Sequence, residues 1–394
     1  MVFRLRNRIV ILALAVALLP MLVMSGLTLM QRNRLYRVLE SEIRHTSENS
    51  LRYVATDFYK TCEITNNLLK EKVASNISML LLLVESKGGL HLSPTARVQW
   101  DAVNQLSQEH RVVTLPQMVL GNIPIAKNYD PQQENLVLGG LSRSSGGGYT
   151  ILQRMNEKGD MLRIMTDALD ADGKRAVGSY IPAVAPDGTA NPVVSAILRG
   201  ENYVGISFAV NEWSVSGYQP LKDADGRVFA CICSGVTINA MTMIKDIVRE
   251  TRIGKSGYIA VLGGKGVNKG RYIIAHDAAR ENTSLLDQTD NQGRLFVQEI
   301  IAAGIKNAGE IGICNYNWKN IGDAKARQKM GAYIYFAPWD WLIMPTAYND
   351  DYAESYRAVS SRINELLWSI VFGGLAFLVA ALAIAWYLGN RIAG

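Results

Sequence analysis

Basic and aromatic residues alternate with apolar ones along the strands predicted between residues 149 and 218. An arginine guanidinium can donate two parallel hydrogen bonds to a carboxylate, and aromatic rings commonly form the walls of small-molecule pockets. This composition therefore predicts a pocket for a small anionic ligand. The candidate ligand-binding residues are Tyr149, Arg154, Arg163, Tyr203, Phe208, Trp213 and Tyr218.

A second group of candidates lies further along the chain and carries a weaker signal. It consists of His276, Asp277, Tyr316, Tyr333 and Tyr335. For both groups a purely structural interpretation stays open, because buried aromatic residues often only fill a core and arginines often only face solvent.

Residues that could support catalysis or metal binding are not grouped in this sequence. The G-x-S-x-G pattern of a serine nucleophile is absent. The histidines, none of which has metal-ligand spacing, are His45, His91, His110 and His276. We therefore expect no enzymatic activity, no metal and no cofactor.

Two Asp-x-Asp-Gly sequences resemble the first part of a calcium-binding loop. They begin at Asp170 and Asp223. A complete loop needs a bidentate glutamate at its twelfth position, which here is Ile181 or Ser234. Asp-Gly pairs are also frequent in hairpin turns, since glycine tolerates positive φ. Hairpin turns are therefore the prediction for both sequences.

The cysteines and the charge distribution exclude two further classes of protein. Cys231 and Cys233 are two residues apart, which places both on one face of a strand. They are predicted to be apolar strand residues, and the sequence shows no disulfide framework. The net charge is +6, but lysine and arginine do not cluster with aromatic residues as they do in nucleic-acid-binding proteins. No nucleic-acid partner is expected.

Two similar runs of strands must position the candidate residues. The first run has predicted strands at 149–155, 161–166, 203–210, 213–219 and 228–237, with a short helix at 192–199. A connecting helix at 238–249 leads to strands at 258–262, 271–275, 311–318, 329–337 and 341–348, with a helix at 294–306. Meandering strands with an inserted helix predict an α+β fold with two antiparallel sheets flanked by helices.

A long helix precedes the first run of strands. Residues 31–84 contain no proline or glycine, and apolar residues recur there at helical spacing. Gly88 and Gly89 are predicted to end this helix. Pro94 is predicted to begin a second helix that extends to about His110.

Uncharged apolar runs occur near both ends of the chain. Residues 9–30 and 366–388 contain no Asp, Glu, Lys, Arg or His, and each run exceeds the roughly 20 residues that a helix needs to cross a bilayer. We therefore predict two membrane-spanning helices with residues of about 32–365 outside the inner membrane. Arg4, Arg6 and Arg8 favour a cytoplasmic N-terminus.

Several motifs in their order along the chain resemble a known sensor family. In the second half they are Arg252-Ile-Gly-Lys-Ser-Gly-Tyr-Ile-Ala-Val-Leu262, Tyr272-Ile-Ile-Ala-His-Asp277, Gly309-Glu-Ile-Gly312 and Tyr335-Phe-Ala-Pro-Trp-Asp-Trp341. In the first half they are Gln153-Arg-Met-Asn-Glu-Lys-Gly-Asp-Met-Leu-Arg163, Gly200-Glu-Asn-Tyr203-Val-Gly205 and Tyr218-Gln-Pro-Leu-Lys-Asp-Ala-Asp-Gly226. Over residues of about 50–350 the chain resembles the tandem Cache sensor domain of the Cache-3/Cache-2 fusion type, as in bacterial methyl-accepting chemotaxis proteins.

The resemblance implies two PAS-like extracytoplasmic units that bind small molecules, often carboxylates or amino acids, and signal through the second span. Arg163 resembles the anion-binding arginine of citrate-type sensors. Such receptors usually act as dimers, and the long helix offers an apolar face for a homodimer. Residues 389–394 resemble the start of a HAMP linker, so a cytoplasmic signalling module is expected to follow.

The predicted domain boundaries combine the residues with this resemblance. They are 1–8 for a cytoplasmic N-terminus, 9–31 for the first span, 32–90 for a stalk helix, 91–237 for a membrane-distal Cache unit, 238–251 for a connecting helix, 252–349 for a membrane-proximal Cache unit, 350–365 for a descending helix, 366–388 for the second span and 389–394 for the linker. The expected function is that of the extracytoplasmic ligand-sensing and transmembrane signalling region of a bacterial chemoreceptor. The alternatives are input to a histidine kinase or a diguanylate cyclase, and a membrane-tethered enzyme or adhesion module.

Overall fold

The computed structural model describes residues 5–135, 137–186, 188–210, 212–237, 242–319, 325–351 and 353–393. It begins with helix α1 (Leu5–Ser86), which is 82 residues long. Gly88 and Gly89 follow with φ of +97° and +76°, a left-handed conformation that glycine adopts without a steric penalty. The double glycine therefore ends the helix.

The chain folds into two compact units, each with its own sheet. The large-sheet unit consists of Phe58–Ile247 and Phe336–Trp341. The small-sheet unit consists of Met1–Asp57, Val248–Tyr335 and Leu342–Gly394. The fold is α+β with two largely antiparallel sheets, which confirms the fold class predicted from the sequence.

Nine strands form the large sheet within the described part of the chain. They are β1 (Leu90–Asn104), β2 (His110–Leu120), β3 (Ile123–Pro124), β4 (Gly148–Arg154), β5 (Met161–Thr166), β6 (Ser179–Ile181), β7 (Tyr203–Ala209), β8 (Glu212–Lys222) and β9 (Val228–Thr237). The helices of this region are α2 (Leu138–Ser145), α3 (Pro192–Leu198) and α4 (Thr242–Glu250). The spatial order is β3-β2-β1-β6-β5-β4-β9-β8-β7, and only the β1–β6 pair is parallel among the described strands.

The helix predicted from Pro94 to His110 is wrong. These residues form most of β1 and the turn into β2, and the two strands pair antiparallel. Trp100 and Ala102 are buried while the residues between and before them are exposed, which is the period of two of a strand. Pro94 lies where the β1–β2 register shifts, so its missing N–H interrupts no regular ladder.

Both faces of the large sheet are covered by helices. On one face Val73 and Ile77 of α1 belong to the same core as Ile151 and Ile232. On the other face Val194 and Ile197 of α3 pack with Leu152 and Cys231. Strand residues that are neighbours in sequence thus point to opposite cores, as the pleat requires.

The small sheet has five strands in the described residues. They are β10 (Tyr258–Gly263), β11 (Tyr272–Ile274), β12 (Gly312–Trp318), β13 (Arg327–Phe336) and β14 (Trp341–Tyr348), in the spatial order β11-β10-β14-β13-β12. Helix α5 (Phe296–Lys306) packs Phe296 and Ile300 against Tyr316 and Leu342. This core accounts for the apolar periodicity of α5 and of the strands beneath it.

The last helix, α6 (Ala353–Ala393), follows β14 after a short 3-10 turn at Asn349–Asp351. Its segment Ser361–Ile384 is 24 residues long and apolar enough to cross a bilayer, and it is the one such segment found among the described residues. The first predicted span is helical as part of α1, and many of its side chains lie outside the described part. Its crossing of the membrane stays a prediction.

Candidate functional site

Arg163 is a buried cation near the middle of the large sheet. It lies on β5, and 2% of its surface is exposed. Its Nη2 donates to Gln105 Oε1 at 2.7 Å, and its Nη1 donates to Ser179 Oγ at 3.0 Å. No carboxylate among the described residues forms an ion pair with it. The guanidinium is therefore a buried charge held by two neutral acceptors, and such burial of a charge without an opposite charge is unfavourable.

Tyr218 lies near this guanidinium, and a second tyrosine packs on Tyr218. Tyr218 is buried and shares a hydrogen bond of 3.2 Å with Ser207. Tyr203 packs edge-on against Tyr218, with ring centroids 6.1 Å apart. The Tyr203 hydroxyl donates to the Ile206 carbonyl at 2.8 Å. A cation with the Tyr218 hydroxyl beside it is a suitable lining for a carboxylate, which accepts hydrogen bonds from both.

The remaining neighbours of Arg163 do not neutralise it. Cys231 and Cys233 are buried on β9 beside the guanidinium. Burial raises the pKa of Cys231, and it raises the pKa of Cys233 to about 12. Burial also raises the pKa of Tyr218 and lowers that of Arg163. Thiols and phenol therefore stay neutral at physiological pH, and the arginine, whose ordinary pKa is above 12, keeps its charge.

The structure thus brings together three of the seven residues predicted for the first group. Arg163, Tyr203 and Tyr218 lie in one part of the large-sheet unit. Phe208 and Trp213 are paired in the β7–β8 register, but their side chains lie outside the described part.

Tyr149 and Arg154 are placed elsewhere in the same unit. Tyr149 belongs to the core on the α1 side of the sheet, where its hydroxyl donates to Ser145 Oγ at 2.7 Å. Arg154 donates to the carbonyls of Asn156 and Glu157, both at 3.0 Å, and so holds the β4–β5 turn. Tyr149 and Arg154 therefore do not belong to the site around Arg163.

Three partners in this site were not predicted from the sequence. Gln105 lies just after β1, inside the segment predicted as a helix, and its N–H donates to the carbonyl of Tyr180. Ser179 is on the short strand β6, and Ser207 is on β7. A single small polar residue inside an apolar strand is the only local signal that Ser207 carries. Gln105 has no such signal until the β1–β2 hairpin is known.

A cavity of about 230 Å³ opens in the small-sheet unit. It is lined by Ser256, Tyr258, Tyr272, Ala275, His276, Asp277 and Arg280. Two residues of the second predicted group, His276 and Asp277, are among them. The other three are core residues: Tyr316 stacks on Phe296 with centroids 4.1 Å apart, and Tyr333 and Tyr335 pack in the same cluster.

Ser256 joins this cavity to the beginning of α6. Asp351 Oδ2 accepts the Ser256 N–H at 2.7 Å, and Asp351 Oδ1 accepts the Ser256 Oγ–H at 2.9 Å. Asp351 lies two residues before Ala353, where α6 starts. Charge-assisted hydrogen bonds therefore connect the lining of the cavity to a residue two positions before α6.

The Asp-x-Asp-Gly sequences form turns, as predicted. Asp170 Oδ1 accepts the N–H groups of Asp172 and Lys174, each at 3.0 Å. Asp223 Oδ1 is bonded in the same way within its own turn. These carboxylates satisfy backbone donors in Asx turns. No group of three or more His, Cys, Asp or Glu residues in the searched part of the chain is placed to hold a metal ion.

Asp167 provides a test of how this unit responds to pH. Its Oδ1 accepts the Tyr149 N–H at 2.7 Å, its other oxygen accepts from Ser142, and burial raises its pKa. A carboxyl with a raised pKa stabilises the fold most below the pKa of the unfolded chain, about 3.9, and this contribution is lost as pH rises through the folded value.

We therefore expect Asp167→Asn to raise the free energy of unfolding at pH 7 by about 1 kcal/mol. The reason is that the neutral amide avoids the cost of burying a charged carboxylate. The difference should shrink to zero towards pH 4. Thermal unfolding from pH 4 to pH 8 measures it, with Asp172→Asn, in an exposed turn, as the control. A difference that grows towards pH 4 would contradict the assignment.

The family model described as the Cache 3/Cache 2 fusion domain matches residues 36–362. The periplasmic domain of RsbU from Chlamydia trachomatis is similar, with 10% identity and a TM-score of 0.40, over 80% of this chain and 97% of that one. The periplasmic sensory domain of the Campylobacter jejuni chemoreceptor Tlp1 has 14% identity and a TM-score of 0.39, over 79% of this chain and 98% of that one.

A shorter similarity involves a Cache chemosensory domain described for carboxylic acid recognition. It has 21% identity and a TM-score of 0.25, and it covers 28% of this chain and 73% of that chain. No curated protein sequence matches the chain.

Proposed function

The chain belongs to the Cache 3/Cache 2 fusion domain family, and from this premise we propose that it is the ligand-sensing and transmembrane signalling region of a bacterial chemoreceptor. It binds a small carboxylate or amino acid outside the cytoplasm and catalyses no reaction. Cache domains are sensory ligand-binding domains. For this chain we propose in addition the class of ligand, the site around Arg163 and the direction of signalling.

The observation that carries the proposal is the buried charge of Arg163. Its two hydrogen-bond partners, Gln105 and Ser179, are neutral, and the adjacent tyrosine and thiols stay protonated. A carboxylate at this position would supply the missing negative charge and accept hydrogen bonds from the planar guanidinium. The ligand site is the same if the chain serves a sensor histidine kinase or a diguanylate cyclase instead of a chemoreceptor.

Signalling follows from the position of α6. A ligand shifts a conformational equilibrium only by its differential affinity for the two states. We propose that the ligand-bound state displaces α6 along its axis relative to α1, a small helix shift of the kind that switching proteins use. Crosslinking yields between cysteines introduced at Tyr36 and Asn364, whose side chains are 3.1 Å apart, should change on ligand addition. Unchanged yields would contradict a helix displacement.

The proposal includes two membrane crossings and a homodimer. The candidate span Ser361–Ile384 supports the second crossing. Exposed apolar side chains on α1 support dimerisation, since Tyr53, Ile64, Leu68 and Leu82 are each at least 60% exposed. Light scattering that gave only monomers with and without ligand would contradict the dimer. Periplasmic proteolysis of a tag at either terminus would contradict the topology.

Ligand binding is tested with the whole chain purified in detergent micelles. We expect at least one of acetate, succinate, citrate and L-alanine to raise the unfolding temperature, because a ligand at about 100 times its Kd stabilises the folded state by about 2.7 kcal/mol. Tryptophan fluorescence follows the transition, and sodium chloride at equal ionic strength is the control. A folded sample that none of the four probes stabilises would overturn the carboxylate assignment.

A further inference from the structure

A short loop ahead of β10 is closed on itself by backbone hydrogen bonds. The Ile253 N–H donates to the Gly257 carbonyl at 3.1 Å, and the Gly257 N–H donates to the Ile253 carbonyl at 2.9 Å. Gly254, between them, has φ of +62°, which glycine adopts without a steric penalty. A Cβ built on Gly257 would lie 2.3 Å from the Thr346 carbonyl oxygen, so the loop lies directly against β14. We call residues 253–257 the closed loop.

The closed loop holds a carboxylate from a distant part of the chain. The backbone N–H groups of Lys255 and Ser256 donate to Asp351 Oδ2 at 3.1 and 2.7 Å, and the Ser256 hydroxyl donates to Asp351 Oδ1 at 2.9 Å. Successive N–H groups that converge in this way form an anion-binding concavity, or nest. Only 5% of the Asp351 side chain is exposed. Asp351 therefore occupies the nest as an internal anion.

Arg327, the first residue of β13, connects the same carboxylate to the sheet. Its Nη2 donates to Ser256 Oγ at 3.3 Å, and its Nη1 lies 3.8 Å from Asp351 Oδ1 and 3.0 Å from Asp350 Oδ1. Its guanidinium carbon lies 3.7 Å from the centroid of the ring of Tyr348, the last residue of β14. The ends of two neighbouring strands thus support the position of Asp351.

These contacts hold the chain at the point where the small sheet ends and α6 begins. A 3-10 turn at Asn349–Asp351 separates β14 from Ala353, where α6 starts. The hydrogen-bond geometry of 3-10 turns is poor, so this turn alone would fix the helix only weakly to the sheet. The Asp351 carboxylate strengthens the connection, because it binds the chain two residues before α6 to a loop that lies on β14.

Stabilisation of the helix N-terminus is the alternative role for an acidic residue at this place. Asp350, the preceding residue, has the same charge, and 44% of its side chain is exposed. Asp351 is instead buried, and both of its oxygens accept hydrogen bonds from the closed loop. This difference between neighbours favours a role for Asp351 in holding the helix to the sheet.

We propose that Asp351 is a positioning residue for signalling, whose carboxylate in the nest sets the position of α6 relative to the small sheet. With the carboxylate in place, α6 follows movements of the sheet; with it released, the helix moves independently. This role rests on the proposed function, in which α6 carries the signal. It requires no ligand in the small-sheet unit, since the carboxylate, the nest and Arg327 all belong to the chain.

Loss of the carboxylate charge is expected to release α6 even without ligand. The amide of Asp351→Asn can accept from the nest, but neutral hydrogen bonds replace the charge-assisted ones. In the unliganded whole chain we expect the amides of the closed loop to exchange with deuterium about tenfold faster or more. The disulfide yield between cysteines introduced at Tyr36 and Asn364 should fall by about twofold or more.

Two further variants accompany Asp351→Asn. Ser256→Ala removes the hydroxyl donor but keeps both N–H donors, and it should change both measurements in the same direction by a smaller factor. Asp287→Asn removes an equal charge from an exposed position in the same unit and should change neither. Faster exchange in Asp351→Asn with an unchanged disulfide yield would mean that Asp351 only orders the loop, and would overturn the proposal. Unchanged exchange would also overturn it.

The response to ligand separates this proposal from the proposed function. The probe that stabilises the wild type should raise the unfolding temperature of Asp351→Asn by nearly the same amount, because Arg163 lies in the other unit. The disulfide yield of this variant should no longer change when the probe is added. A change as large as in the wild type would overturn the role of Asp351. If no probe stabilises the wild type, the proposed function fails, whereas the unliganded comparison still tests Asp351.

Discussion

Replacing Arg163 by methionine is expected to abolish carboxylate binding and, at the same time, to stabilise the unliganded protein. The two effects have one cause. The guanidinium is buried, and it donates hydrogen bonds to the neutral acceptors of Gln105 and Ser179, so its desolvation is not compensated until an anion binds. Methionine has a similar length and needs no partner.

The expected gain in the free energy of unfolding is about 1–3 kcal/mol, which is the range seen when apolar residues replace buried ionic groups. The gain is reduced because Gln105 Oε1 loses the Nη2 donor at 2.7 Å. Affinity for the stabilising probe should fall by about 100-fold or more, since two charge-assisted hydrogen bonds are removed. Thermal unfolding with and without that probe measures both quantities.

Two further variants separate a binding role from a structural one. Arg97→Met makes the same substitution at an exposed position of β1 and should alter neither stability nor affinity. Arg154→Met removes donors to backbone carbonyls and should lower stability while leaving affinity unchanged. If Arg163→Met instead behaved like Arg154→Met, Arg163 would be a structural residue and the proposed ligand site would be wrong.

Gly257→Ala is expected to unfold the part of the small-sheet unit that carries the cavity lined by Ser256 and Tyr258. A Cβ at this position would lie 2.3 Å from the carbonyl oxygens of both Ile253 and Thr346, and 3.0 Å from the Ala347 Cα. All three atoms belong to the backbone, so no side-chain rotation relieves the clash. The loop must move away from β14, which would break the reciprocal hydrogen bonds between Ile253 and Gly257.

The expected loss is about 3 kcal/mol or more, at the upper end of what overpacking produces. Hydrogen exchange of the β10 and β14 amides measures it locally, because the large-sheet unit should keep its protection. Gly266→Asn is the matched control: this glycine has φ of +56° with nothing within 4 Å of a built Cβ, and asparagine tolerates that conformation. Equal protection in Gly257→Ala and Gly266→Asn would contradict the packing argument.

The accuracy of the sequence-based prediction depended on how local the signal was. The strand at 161–166 and the helix near 294–306 were predicted almost as observed, because each is a largely apolar segment of typical length that is buried in its core. The hairpin of β1 and β2 was predicted as a helix. Its residues are largely polar and half-exposed, so pairing between distant segments, rather than local propensity, decides its conformation.

The same distinction applies to the candidate sites. Arg163 and Arg154 look alike in the sequence, nine residues apart and on neighbouring predicted strands. In the structure one is buried beside Tyr218 and the thiols of β9, and the other closes a turn with backbone carbonyls. Whether either arginine can contact a ligand depends on where its strand ends relative to the neighbouring strands. The register of the sheet determines this position.

By itself the sequence determined the α+β class, the apolar runs, the succession of two strand-rich regions and the family to which the chain belongs, because composition, periodicity and turn chemistry are encoded in neighbouring residues. The tertiary structure alone decided that Gln105 and Ser179 meet Arg163, that Arg252 meets His276, and that Ser256 meets Asp351. These groups are 16 to 95 residues apart in the chain. Only strand pairing and the packing of loops on the sheet bring them within hydrogen-bonding distance, and no local pattern encodes those contacts.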